Sequence, residues 1–238
     1  MEQPHNDPAM GHALTARLLP LLPPRHAGPA VVAVAGPSGV GKSTLAAALQ
    51  GCFAARGLRA RVLAMDDFFH DKATRARLDE WSPAHVRLAD LTRVLDAARQ
   101  GAVVRDVPRY VRRPRPAMEP WVLDFSACDV LLFEGLYTLS PREDCARLGR
   151  FAHCGLFLDA PDPLLKTWRF QQEAAKPHPR TVAEMEHHWT YGIEPDTRLR
   201  VRPSRIHADV LLVKSADHGL TVSAPDAPPA RTQTLEEP

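Results

Sequence analysis

Residues 36–44 constrain this chain more than any other stretch. They read Gly36-Pro37-Ser38-Gly39-Val40-Gly41-Lys42-Ser43-Thr44 and fit the pattern G-x-x-x-x-G-K-[S/T] at every fixed position. Ahead of them runs Ala30-Val31-Val32-Ala33-Val34-Ala35, short, apolar and rich in β-branched residues. Behind them runs Leu45-Ala46-Ala47-Ala48-Leu49-Gln50-Gly51-Cys52-Phe53, with apolar residues at helical spacing. Strand, glycine loop and helix in that order make a phosphate cradle. The glycines let the backbone curl so that its N–H groups point inward at anionic oxygens, and the helix N-terminus adds positive potential. In such a loop the lysine, Lys42, reaches the terminal phosphates and the hydroxyl of Ser43 faces Mg²⁺.

Such a unit commits the chain to an α/β architecture. Further strand-like runs are Arg59-Ala60-Arg61-Val62-Leu63-Ala64-Met65, Asp129-Val130-Leu131-Leu132-Phe133-Glu134-Gly135, Cys154-Gly155-Leu156-Phe157-Leu158-Asp159 and Ala208-Asp209-Val210-Leu211-Leu212-Val213. Between them Leu88, Leu91, Val94, Leu95 and Ala98 share a helical face, and Asp162-Pro163 opens another helix. Alternating strands and helices predict a parallel sheet of about five strands flanked by helices, a P-loop NTPase fold with a mobile lid. Residues 30–215 form the domain. Residues 1–29, with prolines at 4, 8, 20, 23, 24 and 29, read as a partly flexible extension holding one amphipathic helix near residues 13–19. Residues 216–238 read as a disordered tail. Residues 105–115 carry five arginines, Tyr110 and two prolines, and give neither a helix nor a strand signal.

A net charge of +2 gives no global reason to expect a nucleic-acid partner. No apolar run is long enough to span a membrane, and Glu2, His5 and Asp7 do not make a signal peptide. The four cysteines, Cys52, Cys128, Cys145 and Cys154, lack C-x-x-C spacing and read as reduced thiols. The expectation is a cytoplasmic protein acting on a small molecule, with a homo-oligomer left open.

Several residues could carry chemistry beside the loop. Asp66 and Asp67 follow an apolar strand, at the end where open α/β sheets bind ligands. Asp66 there would accept a hydroxyl proton; capping a loop or binding Mg²⁺ is the other reading. Glu134, at the end of its strand, would hold Mg²⁺ or its water. Lys166 and Arg169 lie three residues apart on one helix, with Arg180 beyond. They are either a solvated basic face or lid cations that close over the γ-phosphate. Phe69, Tyr110 and Arg112 are candidate substrate contacts.

Together, Gly36 to Thr44, Met65-Asp66-Asp67-Phe68-Phe69-His70, Phe133-Glu134-Gly135-Leu136 and Asp159-Ala160-Pro161-Asp162 resemble the uridine kinase, phosphoribulokinase and bacterial pantothenate kinase group. The resemblance covers roughly residues 30–215. It implies a P-loop kinase domain, ATP and Mg²⁺ as cofactors, Asp66 as catalytic base, Glu134 as Mg²⁺ support and Arg169 as a lid residue. It implies phosphorylation of a hydroxyl on a small metabolite, with a nucleoside as the leading acceptor. Pantothenate, a sugar or another vitamin-like alcohol is the alternative. A regulatory P-loop NTPase is the alternative of another class. Where uridine kinases carry Asp-His-Pro-Asp-Ala-Phe-Asp, this chain reads Asp79-Glu80-Trp81-Ser82-Pro83-Ala84-His85-Val86.

Overall fold

The computed structural model describes residues 8–24, 28–78, 82–111 and 117–223. A six-stranded sheet has the order β2-β5-β1-β6-β7-β8, with β1 at Ala30–Ala35, β2 at Ala60–Ala64, β5 at Val130–Gly135, β6 at Cys154–Asp159, β7 at Val210–Lys214 and β8 at Leu220–Ser223. The first five strands in that order run parallel, as the alternating pattern predicts, and β8 runs antiparallel to β7.

Strand β1 sits inside the sheet because both of its faces are apolar. Val31, Ala33 and Ala35 join one buried cluster, and Val32 and Val34 join the other. On the second face α2 (Lys42–Ala54) packs with Leu45, Ala46, Leu49 and Phe53 buried, and α1 (Pro8–Leu18) adds Leu14 and Leu18. On the first face α4 (Leu88–Arg99) buries Leu91, Val94, Leu95 and Ala98, the predicted stripe. The short helix α3 (Lys72–Arg75) lies in the loop between β2 and α4. Helix α5 (Asp162–Ala174) follows β6, and α6 (Val182–His188) opens with a capping box between Thr181 and Glu184. From there π-helical turns at Trp189–Ile193 and Thr197–Val201 flank a short α7 (Glu194–Asp196).

Two expectations need correction. The arginine-rich stretch is strand β3 (Val103–Val111), paired antiparallel with β4 (Ala117–Asp124) in a separate two-stranded sheet. A bulge between Val104 and Val107, with Asp106 at φ 56°, breaks the period-two alternation that would have marked it. The tail does not begin at 216: Leu220–Ser223 returns as β8 along β7. The expected helix of the extension is α1, and it packs on the core through Leu14 and Leu18, both fully buried. Arg112 and residues 224–238 lie outside the described residues.

Replacing Leu18 with Ala is therefore expected to cost about 2–5 kcal/mol, the range for emptying a buried leucine site. Urea unfolding of the variant checks this, and an unchanged midpoint would mean that α1 is not part of the core.

Candidate active site

The strand register builds the site. Glu134 on β5 is level with Val34 on β1 and Ala64 on β2. Neighbouring strands lie about 4.8 Å apart. Three strand ends therefore deliver Gly36, Glu134 and the Asp66 turn to one edge of the sheet.

The loop needs its glycines for space and for backbone shape. A Cβ on Gly36 would lie 2.1 Å from the Leu158 carbonyl oxygen of β6. Gly41 takes φ 107°, a left-handed value, just before α2 begins. Lys42 is buried, and its Nζ donates to the Pro37 carbonyl at 2.8 Å, bridging the loop. Burial pushes its pKa down, against the pull of the Glu134 and Asp66 carboxylates; Arg169 adds to the downward push. Glu134 shows the mirror effect. Burial raises its pKa, Lys42 pulls it down, and Asp66 raises it further. The Ser43 hydroxyl donates to Glu134 Oε1 at 2.8 Å. A hydroxyl and a carboxylate side by side at a phosphate cradle are the hard oxygen donors that Mg²⁺ takes from protein when phosphates complete its shell. The residues present thus fit both a nucleotide triphosphate tail and its cation.

Two contacts tie the loop to its surroundings. Lys214, 4% exposed, donates from Nζ to the Val40 carbonyl at 3.0 Å and lies 4.7 Å from the centroid of the Trp168 ring. Burial lowers its pKa to about 8. Thr44 lines a small cleft beside it, with Gly41 and Leu158. From α5, Gln172 donates to the Gly39 carbonyl at 3.3 Å, and Arg169 Cδ lies 3.5 Å from where a Gly39 Cβ would stand.

Asp66 and Asp67 lie on a 3-10 turn, Met65–Phe68, and not on an extended strand end. Asp67 accepts from Arg109 Nε at 3.1 Å, and Arg109 lies over the Trp121 ring of β4. The β3–β4 hairpin is thereby fastened to the turn, leaving Asp66 as the member of the pair that acts electrostatically on Lys42. Phe69 and Tyr110 come together at 6.3 Å between ring centroids, with the Arg75 guanidinium against both.

The three cations expected in a lid do not converge. Arg169 faces the loop. Lys166 instead pairs with Glu186 of α6 at 2.7 Å, and Arg180 pairs with Glu173 at 3.9 Å. These two fasten the joint between α5 and α6.

Sequence reasoning missed Lys214, Arg75 and Arg109 as parts of the site. Arg109 was legible only as one charge among five, because the bulge hid the strand that aims it. Lys214 and Arg75 carry no local pattern; tertiary packing alone brings them in. A further buried pair was also unmarked: the Tyr137 hydroxyl donates to both Asp196 oxygens at 3.0 Å. Burial holds that carboxyl up to about 6.

A phosphate loop, a strand-end carboxylate and a second carboxylate at the base of the loop define a P-loop kinase. The chain belongs to the Phosphoribulokinase / Uridine kinase family, whose model matches residues 31–217. It is accordingly a phosphotransferase with an alcohol as acceptor. Its fold is similar to that of a Silicibacter protein provisionally described as a fructose transport system kinase. That likeness has 25% identity and a TM-score of 0.68, over 79% of this chain and 92% of that one. It is also similar in fold to a Bacillus stearothermophilus protein provisionally described as a uridine kinase, at 20% identity and TM-score 0.55, over 85% and 97% of the two chains. D-glycerate 3-kinase from Cryptococcus neoformans var. grubii shares the fold at 16% identity and TM-score 0.65, over 91% and 97%. No curated protein matches the sequence. Among the described residues, no helix is long and apolar enough to cross a membrane.

If Lys214 holds the loop, Lys214→Met is expected to weaken ATP binding about tenfold, the worth of one charged hydrogen bond. The methionine keeps the apolar stem against Trp168. ATP titration with circular dichroism checks it; unchanged affinity in a folded variant would remove Lys214 from the site.

Proposed function

We propose that this protein is an ATP- and Mg²⁺-dependent kinase that transfers the γ-phosphate to a hydroxyl of a small polar metabolite. The observation that carries this reading is the meeting of Lys42, Glu134 and Asp66 at three adjacent strand ends. When bound, the metal would neutralise charge on the phosphates, held through Ser43 and Glu134. The loop amides and Lys42 would hold the β and γ phosphates from below. The Pro37 carbonyl already orients its ammonium across the loop. An alcohol is a poor nucleophile at neutral pH, so Asp66 would orient it and take its proton as the new bond forms. Arg169, on the helix tethered to Gly39, would add positive charge at the γ-phosphate and act as the lid cation.

For the acceptor, a nucleoside is the expectation from the motif resemblance. A sugar-like or other small polar alcohol has a specific observation in its favour. Phe69 and Tyr110 are tilted by 59°, and Arg75 packs on both, so the aromatic pair is not a flat slot for a base. An ADP-release screen across nucleosides, sugars and pantothenate tests the reading. ADP should form only with an acceptor present. ADP formed without one, or only with a protein, would support a regulatory NTPase instead.

Asp66→Asn should leave ATP affinity nearly unchanged and cut turnover by about 10²-fold or more, the low end of general-base effects. An amide still orients the hydroxyl but cannot take its proton. Asp67→Asn should cost less, since Asp67 works through Arg109. Single-turnover transfer with both variants decides; a dead Asp67→Asn beside an active Asp66→Asn would reassign the base.

A further inference from the structure

Arg75 is held in an unusual way. Its Nε donates to the His70 carbonyl at 2.9 Å and its Nη2 to the Tyr110 hydroxyl at 2.8 Å. Its guanidinium carbon lies 5.1 Å from the Phe69 ring centroid and 4.7 Å from that of Tyr110. The short helix that carries it is capped by Asp71, which accepts from the Thr74 amide at 2.9 Å. Four contacts from three residues, His70, Phe69 and Tyr110, thus fix the cation, and each contacting group is neutral. Arg87 and Arg109 are placed differently. Arg87 pairs with Asp90 at 2.8 Å and Arg109 with Asp67 at 3.1 Å. Among the described residues Arg75 makes no ion pair.

A guanidinium has five N–H groups in a rigid fork. Only two of Arg75's donors are used by these hydrogen bonds. The rest of the fork is pre-oriented, and a half-buried cation with no carboxylate partner among the described residues gains most from an incoming anion. Its position follows from the turn. Phe69 donates its amide to the Asp66 carbonyl at 3.3 Å, so the two residues stand three apart on a 3-10 turn, where side chains eclipse. Such a turn advances roughly 6 Å over three residues. Asp66 and Phe69 therefore share one side of the turn, and the Arg75 guanidinium packs on Phe69.

We propose that Arg75 is an acceptor-binding residue and that the acceptor is a small anionic alcohol, bearing a carboxylate or a phosphate a few carbons from the reacting hydroxyl. This rests on the kinase reading above. Chemically it selects a hydroxy acid or sugar phosphate over a neutral sugar or nucleoside. Phe69 would pack against the carbon chain between the two ends, and the Tyr110 hydroxyl would keep the fork aimed.

The test has two parts. Wild-type enzyme is offered alcohols in charged and neutral pairs: glycerate with glycerol, ribulose 5-phosphate with ribulose, and pantothenate with pantothenol. It is also offered a small-molecule cell extract with γ-¹⁸O-labelled ATP, and labelled products are read by mass spectrometry. The expected result is a labelled product whose acceptor carries a carboxylate or phosphate, with kcat/KM at least about tenfold above that of the neutral partner, as one charge-assisted hydrogen bond would give. The carboxylate and phosphate arms separate the two anions. Arg75→Gln should then raise KM for the acceptor about tenfold or more, leave KM for ATP unchanged and bring the charged and neutral members close together. Arg75→Lys should restore part of the preference. Tyr110→Phe, which keeps the ring and removes the hydroxyl, should weaken the preference in the same direction if Arg75→Gln does not fold. A neutral acceptor used as well as or better than its charged partner would overturn the inference and leave the kinase reading standing. So would an unchanged preference in folded Arg75→Gln. No labelled product from any acceptor or from the extract would instead overturn the kinase reading.

Discussion

Everything at the catalytic edge depends on one enclosed set of opposite charges. Lys42 is an ammonium buried in a loop whose backbone amides already favour anions, and it has Glu134 and Asp66 as its carboxylate neighbours. Burial works against both the lysine's charge and that of Glu134, while their mutual attraction works for it. The balance is local, because each partner comes from a different strand end. If β5 slipped by one residue against β1, Glu134 would face the opposite side of the sheet. The apolar faces of β1 therefore do more than stabilise. By burying Val31 and Ala33 on one side and Val32 and Val34 on the other, they fix the register that sets the charges.

The second tier of the structure holds this edge in shape. The β3–β4 hairpin belongs to a separate small sheet, yet it reaches the Asp66 turn through Arg109 and Asp67, through Tyr110 and Arg75, and through Arg87, which donates to the Pro108 carbonyl. On the other side, α5 and β7 grip the phosphate loop at Gly39 and Val40. The loop is thus clamped from both its tip and its back. The remaining basic residues of the α5–α6 joint are engaged with Glu186 and Glu173, which makes that joint a stapled corner and leaves Arg169 on the loop side.

The fold was readable wherever a local rule and the tertiary structure agree. The phosphate loop, the five parallel strands and the stripe on α4 follow directly from apolar runs and spacing. The coming together of Lys42, Ser43, Asp66 and Glu134 was readable because each belongs to a motif at a strand end. The unreadable parts have physical causes. A bulge at Asp106 spoiled the alternation of β3, so its arginines had no orientation. Strand β8 is four residues long with only Leu220 and Val222 as apolar positions, too little pattern to separate from a tail. Lys166, Arg169 and Arg180 looked equivalent because helical spacing says which residues share a face, not which acid stands opposite. Arg75 and Lys214 act through neighbours far away in sequence, and no window of residues contains that information.

The antiparallel return of β8 also decides the geography of the chain's exit. The five parallel strands all point their carboxyl ends toward the nucleotide edge. Because β8 runs back along β7, pairing Ser223 with Leu211, the backbone leaves the sheet at the opposite pole. Ser223 thus stands at the pole remote from the phosphate loop, so a reporter attached at that residue sits away from Lys42 and Glu134.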